Sequence, residues 1–129
     1  SVTTKAMPLI GLYRASKAAL NAWSESLAIE VRPFGIRVHV VLPGRSPETK
    51  FGENARAYFG GQDDPAYGEM VDAFIQMARD TDSPVTHADD VAKAILAVAG
   101  DQNAPLYTAA GEDARHYLHE AQQRSPFSY

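Results

Sequence analysis

The sequence predicts an α/β fold, specifically part of a doubly wound parallel sheet with two strands flanked by helices. The first observation is the order helix, strand, helices, strand, helix, in which a right-handed helical crossover joins two parallel strands. The second is the run 36–42, which is almost continuously apolar and therefore typical of a strand covered on both faces. Because a stable sheet normally needs three or more strands, the pattern indicates part of a larger sheet.

Composition excludes several classes of protein. The chain has 129 residues, which is the length of one domain, and its net charge of −4 gives no basic surface for nucleic acid. No apolar run reaches the roughly 18 residues of a membrane span, and the first residues lack the layout of a signal peptide. The absence of cysteine excludes disulfides and thiolate zinc sites and fits a reducing, cytoplasmic location.

The first helix is predicted over residues 11–33, where apolar and aromatic side chains recur at three- and four-residue steps. Trp23 is expected to be a packing residue on this helix. Pro33 and Gly35 end it. Four alanines form a small-residue face that allows another backbone to approach closely: Ala15, Ala18, Ala19 and Ala22.

The middle of the chain begins with a long loop over residues 43–63 that contains at most one helical turn. A loop of that length in a compact domain is usually functional or disordered. Asp64 and Pro65 fit a helix N-cap followed by proline at the first helical position, which predicts a helix through about Arg79. The apolar side chains on one face of this helix are Met70, Phe74 and Met77.

The last third predicts a helix, a strand and a helix. Thr86 and Asp89 resemble a capping box, with aspartate where glutamate or glutamine is usual. The helix they begin is expected to turn Val91, Ile95 and Val98 inward and to end at Gly100. A short strand at 106–109 and a final helix over about 112–123 follow.

Tyr13 and Lys17 are the first candidates for chemistry. They lie four residues apart on one predicted helix, and therefore one turn apart on the same face. An ammonium group beside a phenol lowers the pKa of the phenol and suits it to general acid–base catalysis. Such a pair also occurs by chance on helix surfaces, so the spacing alone leaves both interpretations open.

The surrounding motifs resemble the C-terminal half of short-chain dehydrogenases/reductases. Residues 13–17 read Tyr-Arg-Ala-Ser-Lys on a long helix, and Pro43-Gly44 follows at the end of the next strand, with the family's spacing from the tyrosine. The segments 86–92 and 106–114 are similar to the family's last helix start and last strand. The resemblance covers nearly the whole chain.

This resemblance implies a single partial domain of Rossmann type over residues 1–129. Within it, 11–33 is the catalytic helix, 43–80 is the substrate-lid region, and 86–124 is the last helix–strand–helix unit. No Gly-x-x-x-Gly-x-Gly motif occurs in the sequence, so the N-terminal nucleotide-binding half is expected to be absent.

The implied activity is that of an NAD(P)-dependent oxidoreductase that interconverts a ketone or aldehyde and an alcohol by hydride transfer. Tyr13 is implied as the acid or base, and Lys17 as the group that lowers the pKa of Tyr13 and binds the nicotinamide ribose. Ser1 is the candidate for hydrogen bonding the substrate carbonyl.

The resemblance also implies which residues border the cofactor, which is NAD or NADP. Pro43 and Gly44 are expected beside the nicotinamide, and Thr49 is a candidate contact to its amide or to the diphosphate. The expected partners are a small-molecule carbonyl or alcohol and a second copy of the chain, in a homodimer or homotetramer.

A truncated, non-catalytic interaction module that oligomerises through the 11–33 helix is the alternative to an enzyme. His116 and His119 have a spacing that metal ligands sometimes use, but they lack a third ligand nearby, so a solvated helix face is expected and no metal site is predicted.

Overall fold

The structure is a computed structural model that describes residues 2–56 and 64–124. Its helices and strands follow the predicted order, and a short 3-10 turn, Arg32–Phe34, extends the first helix. No helix within the described ranges is both long and apolar enough to cross a membrane. The elements are α1 (Gly11–Val31), β1 (Val40–Pro43), α2 (Phe51–Arg56), α3 (Gly68–Arg79), α4 (Ala88–Gly100), β2 (Tyr107–Ala110) and α5 (Glu112–Gln123).

The sheet consists of β1 and β2, which pair in parallel and in register from Val40 opposite Tyr107 to Pro43 opposite Ala110. Parallel pairing places the carboxyl ends of both strands at one edge. The predicted α/β class and the predicted parallel pair are confirmed, and the arrangement is that of a partial Rossmann-type fold.

β1 is shorter than the predicted strand, because residues 36–39 precede it without strand structure. Only the four residues of β2 are available to pair with it, and they face residues 40–43. Arg37 instead turns its guanidinium to the end of α4. There it donates hydrogen bonds to the carbonyls of Val98 at 3.3 Å, Ala99 at 2.9 Å and Asp101 at 2.5 Å.

α3 begins at Gly68, later than the predicted start at Pro65. The Asp64 carboxylate accepts a hydrogen bond from the Ala66 amide at 2.9 Å, and the Asp64 carbonyl accepts one from the Tyr67 amide at 3.0 Å. These bonds close a tight turn before the helix. The prediction of a helix N-cap at Asp64 is therefore wrong, since this aspartate caps the turn instead.

α4 is capped one residue later than predicted. The His87 amide donates to the Asp90 carboxylate at 3.0 Å, so the box runs from His87 to Asp90 and not from Thr86 to Asp89. Thr86 does not cap the helix because its side chain is fully buried and its hydroxyl faces the ends of β1 and β2.

The buried apolar core is small and lies around the sheet, at Leu42, Val71, Val98, Ala110 and Ala114. The expectation that Trp23 and Ile95 pack inward is wrong in the described part of the chain, where they are 60% and 52% exposed. Nothing among residues 2–56 and 64–124 covers these faces of α1 and α4. Other exposed apolar side chains on or near them are Leu12, Leu20, Ile29, Phe34, Ile36 and Leu96.

A hydrogen bond from Tyr107 to Glu25 links β2 to α1. The phenol donates to Glu25 Oε1 at 2.6 Å. Burial of the phenol, together with the hydrogen bond to Glu25 and its negative charge, raises the pKa of Tyr107 to about 12. The pKa of a tyrosine in an unfolded chain is about 10. The contribution of this bond to stability is thus fully present below about pH 10 and is lost as pH rises towards the folded value.

Replacing Tyr107 by phenylalanine tests this alkaline dependence. We expect the free energy of unfolding of the wild-type protein to fall more steeply with rising pH above about pH 10 than that of Tyr107→Phe. Urea denaturation at a series of pH values measures it, with Tyr67→Phe as the control because Tyr67 is exposed. Parallel pH dependences of wild type and Tyr107→Phe would contradict the argument.

Candidate active site

Tyr13 and Lys17 lie one turn apart in the first half of α1, as the spacing predicts. The Lys17 Nζ lies over the Tyr13 ring, 5.8 Å from its centroid. Tyr13 is half-buried and Lys17 is exposed, so the pair lies at the protein surface. Such an ammonium–ring contact is favourable because the ring face is electronegative.

The acidity of Tyr13 differs from the prediction. Burial raises the pKa of Tyr13 above its ordinary value, whereas the sequence argument expected Lys17 to lower it. The described residues desolvate the phenol, and desolvation disfavours the charged phenolate. In this arrangement Tyr13 is therefore protonated at neutral pH.

The N-terminal segment is bound along α1 next to this pair. Arg14 Nε donates to the Val2 carbonyl at 3.0 Å, and Asn21 Nδ2 donates to Thr3 Oγ1 at 3.2 Å. Ser1, the candidate for binding the substrate carbonyl, lies outside the described residues. The segment that follows Ser1 is thus fixed by the residue adjacent to Tyr13.

Pro43 and Gly44 lie at the carboxyl end of β1, the predicted border of the nicotinamide. The Gly44 amide donates to Thr86 Oγ1 at 2.9 Å. A Cβ atom on Gly44 would lie 2.1 Å from both carboxylate oxygens of Asp113, so only glycine fits there. The group that closely approaches Gly44 is thus the buried carboxylate of Asp113.

Thr86 and Asp113 form a buried polar cluster that the sequence analysis missed. Thr86 Oγ1 lies 2.7 Å from Asp113 Oδ1 and 2.9 Å from the Ala110 carbonyl, so its proton has two acceptors within reach. Asp113 Oδ2 accepts a hydrogen bond from the Arg45 amide at 2.7 Å. Because buried polar groups must find partners, this cluster fixes the chain segments that leave both strands.

A signal for this cluster was present in the sequence. A glycine follows the end of each strand, at Gly44 and at Gly111. Gly111 has a φ of +96°, and a Cβ atom on it would lie 2.0 Å from Thr86 Oγ1. Two glycines after neighbouring strand ends indicate that a third group approaches both, and that group is the Thr86–Asp113 pair.

Thr49 lies on an exposed turn before α2. Its amide and its hydroxyl both donate to the Ser46 carbonyl, at 3.1 Å and 2.8 Å. Ser46 in turn donates its hydroxyl to the Thr86 carbonyl at 2.8 Å, so the turn is attached to the buried cluster. This fixes where Thr49 lies relative to the carboxyl end of β1.

The histidines of α5 lie on its exposed face. His116 pairs with Glu120 at 3.1 Å, and His119 contacts the Gln123 side chain at 2.8 Å. The part of the chain that the structure describes holds no group of three side chains suited to binding a metal ion.

The surface has a depression of about 460 Å³. Neither Tyr13 nor Lys17, the predicted catalytic pair, lines it. It is bordered by residues 81–85 and by the starts of α4 and α5, including His87 and Glu112. It is open to solvent.

The sequence is similar to those of known proteins. A family model described as short chain dehydrogenase matches residues 1–58, which include both Tyr13 and Pro43. The chain is 31% identical over 106 residues to a 3-ketodihydrosphingosine reductase of Bacteroides thetaiotaomicron, covering 81% of the chain and 39% of that protein.

Two fungal proteins give similar matches. Oxidoreductase BOA17 of Botryotinia fuckeliana is 30% identical over 115 residues, which is 88% of this chain and 41% of that protein. Short-chain dehydrogenase PC-15 of Penicillium crustosum is 44% identical over 57 residues, or 43% of this chain and 21% of that protein. No solved structure gives a significant match.

These matches agree with the motifs and the parallel sheet. The chain spans 21% to 41% of the length of the three relatives, so it corresponds to a part of such proteins. The matched segment 1–58 contains α1 with its Tyr-x-x-x-Lys pair and the strand that ends at Pro43. The chain belongs to the short-chain dehydrogenase/reductase family.

Proposed function

We propose that the protein is an NAD(P)-dependent oxidoreductase that interconverts a ketone or aldehyde and the corresponding alcohol by hydride transfer. The observation that carries the proposal is the Tyr13–Lys17 pair, with the ammonium 5.8 Å from the ring centroid. The names of the relatives, a reductase and an oxidoreductase among them, support the same class of reaction.

In the proposed reaction Tyr13 transfers the proton. Hydride addition to a carbonyl places negative charge on the oxygen, and a phenol beside that oxygen donates its proton to it. A phenol of ordinary pKa is protonated at neutral pH, and burial raises the pKa of Tyr13 further, so the form that an acid in the reducing direction needs is present. In the oxidising direction the phenolate accepts the proton of the alcohol.

Lys17 has two proposed roles. Its ammonium, next to the Tyr13 ring, favours the phenolate through its positive charge. Its exposed position leaves the three ammonium protons accessible to the hydroxyl groups of the nicotinamide ribose. The Lys17 side chain would thus serve both ribose binding and acid–base chemistry.

The cofactor would lie at the carboxyl end of the parallel sheet, where open α/β sheets bind ligands. Pro43 is exposed there, so its ring fits beside a planar nicotinamide, and Gly44 follows it. Thr49, on the turn attached to the buried cluster, is the proposed contact to the amide or the diphosphate. Bound NADH or NADPH would supply the hydride in the reducing direction, and NAD⁺ or NADP⁺ would accept it in the oxidising direction.

The substrate would be a small carbonyl compound or alcohol, bound by Ser1 and covered by residues 43–80. Lids of this kind exclude water from the reacting atoms. A homodimer or homotetramer in the cytoplasm completes the proposal.

The variant Lys17→Ala tests the proposal. It is made in the full-length protein, as the natural source produces it. Purified wild type is assayed with NADH and with NADPH against a panel of ketones and aldehydes. We expect Lys17→Ala to lower kcat and to raise KM for the nucleotide, because one side chain serves both roles, with a loss of about 100-fold in kcat/KM.

The matched control is Lys5→Ala. Lys5 Nζ lies over the Tyr117 ring, 4.8 Å from its centroid, so the control removes a similar ammonium–ring contact elsewhere. Lys5→Ala should keep wild-type kinetics. If Lys17→Ala leaves KM for the nucleotide unchanged, the ribose role is wrong.

One observation favours a second candidate function, the non-catalytic interaction module. Leu12 and Ile29 on α1 are 92% and 72% exposed, and a second copy of the helix would cover such side chains. A stable oligomer without turnover of any tested carbonyl with either nucleotide would favour this candidate over the enzyme.

A further inference from the structure

Arg45 directly follows Gly44, and its backbone is fixed on both sides by the buried cluster. Its amide donates to Asp113 Oδ2 at 2.7 Å, and its carbonyl accepts a hydrogen bond from the Thr86 amide at 2.7 Å. Asp113 and Thr86 are themselves buried. The main chain of Arg45 thus belongs to the rigid carboxyl edge of the sheet.

The side chain of Arg45 reaches in the other direction, to the C-terminal end of α3. Nη1 donates to the carbonyls of Met77 at 2.6 Å and Asp80 at 3.0 Å, and Nη2 lies 3.7 Å from Asp80 Oδ2. The last carbonyls of a helix have no partner within the helix, so a guanidinium there satisfies them and opposes the negative end of the helix dipole. Only 19% of the Arg45 side chain is exposed.

Asp80 is ionised at neutral pH and so provides a full charge for this contact. Hydrogen bonds from Ser83 and Asp82, with a smaller contribution from the Arg45 charge, lower the pKa of Asp80. Arg45 therefore meets two carbonyl oxygens and one carboxylate at the same helix end. Planar guanidinium groups suit such multiple acceptors better than an ammonium does.

Val71 is the one buried side chain of α3, while Phe74 and Ile75 are half-buried. A helix with a single buried residue is easily displaced, because burial of apolar surface is the main force that docks helices. The hydrogen bonds from Arg45 to the Met77 and Asp80 carbonyls therefore attach the end of α3 to the residue that follows Gly44.

We propose that Arg45 is a positioning residue that couples helix α3 to the strand end at Pro43 and Gly44. The inference rests on the proposed function, in which residues 43–80 cover the substrate and Pro43 and Gly44 border the nicotinamide. Its consequence is that the placement of α3 over the substrate depends on one guanidinium anchored at the cofactor side.

The test uses Arg45→Met and Arg45→Lys in the full-length protein. Met keeps the unbranched aliphatic part of the side chain and the backbone bonds to Asp113 and Thr86, but loses every contact to α3. Lys keeps the charge without the planar geometry, so its effects should lie between those of Met and wild type. Arg79→Met, at an exposed arginine in the last turn of α3, is the matched control.

The first readout is amide hydrogen exchange at the end of α3, which does not depend on activity. The Asp80 amide donates to the Gln76 carbonyl at 3.0 Å in the wild type. In Arg45→Met we expect this amide to exchange about tenfold faster, while amides of α4 remain as in the wild type. Unchanged exchange at Asp80 would overturn the inference.

The second readout separates substrate from cofactor. We expect Arg45→Met to raise KM for the carbonyl substrate about tenfold and to leave KM for the nucleotide within about twofold of wild type. A rise in KM for the nucleotide alone, or equal effects of Arg79→Met, would overturn the coupling. A wild-type protein without reductase activity would overturn the proposed function, and the exchange result would then decide the role of Arg45 by itself.

Discussion

Tyr13→Phe should lower kcat for carbonyl reduction by about 100-fold to 10,000-fold while leaving the affinity for the nucleotide close to wild type. A positioned general acid contributes rate enhancement of about this size. Phenylalanine keeps the ring on which the Lys17 ammonium rests, 5.8 Å from its centroid, and removes only the hydroxyl. Steady-state kinetics and a nucleotide titration of the full-length protein measure the two effects.

The pH dependence gives this prediction a second readout. Because burial raises the pKa of Tyr13, the protonated phenol persists through neutral pH and above. The reducing direction uses that form, so its rate should stay level until pH approaches the raised pKa and should then fall. The oxidising direction uses the phenolate, so its rate should rise over the same range. Both dependences should disappear in Tyr13→Phe.

The control is Tyr117→Phe, which alters a second tyrosine that has a lysine ammonium over its ring. This variant should keep wild-type rates and pH profiles. Unchanged turnover in Tyr13→Phe would remove Tyr13 from the mechanism, whatever the nucleotide affinity.

Gly111→Ala should destabilise the protein by about 4 kcal/mol, the largest effect that we expect on folding. Gly111 has a φ of +96°, a conformation that disfavours any side chain, and the new Cβ would lie 2.0 Å from Thr86 Oγ1. Thr86 is fully buried and is hydrogen-bonded to Gly44, so it has no free space into which to move.

Denaturation by urea measures the loss, with Gly100→Ala as the control. Gly100 is the last residue of α4, and a Cβ atom there meets nothing within 4 Å. Alanine in a helix is favoured over glycine, so this variant should be neutral or more stable by up to about 1 kcal/mol. Equal stability of Gly111→Ala and wild type would mean that the cluster relaxes at no cost.

Local signals in the sequence predicted α1 and the parallel pairing well. The periodicity of residues 11–33 and the stop at Gly35 depend on neighbours within a few residues, and α1 with its 3-10 turn occupies nearly that range. The length of β1 was overestimated because a strand extends only as far as a partner pairs with it. That partner is β2, which lies more than 60 residues further along the chain.

The candidate site divides in the same way. The placement of Tyr13 next to Lys17 follows from helix geometry alone. The direction of the Tyr13 pKa shift does not, since it depends on desolvation by the folded surroundings. Thr86 has an aspartate three residues ahead, which favoured a local capping box, whereas its actual partners lie 42 residues earlier and 24 and 27 residues later.

The buried cluster has a consequence for the order in which the protein is completed during synthesis. Arg45 and its partner Asp113 are 68 residues apart, so a ribosome makes the first long before the second. Contacts of such separation form late, because the intervening chain must first be closed into a loop. The strand end at Pro43 and Gly44 therefore reaches its final form only after α5 has begun to emerge, and a nascent chain that stops earlier carries Tyr13 and Lys17 without that edge.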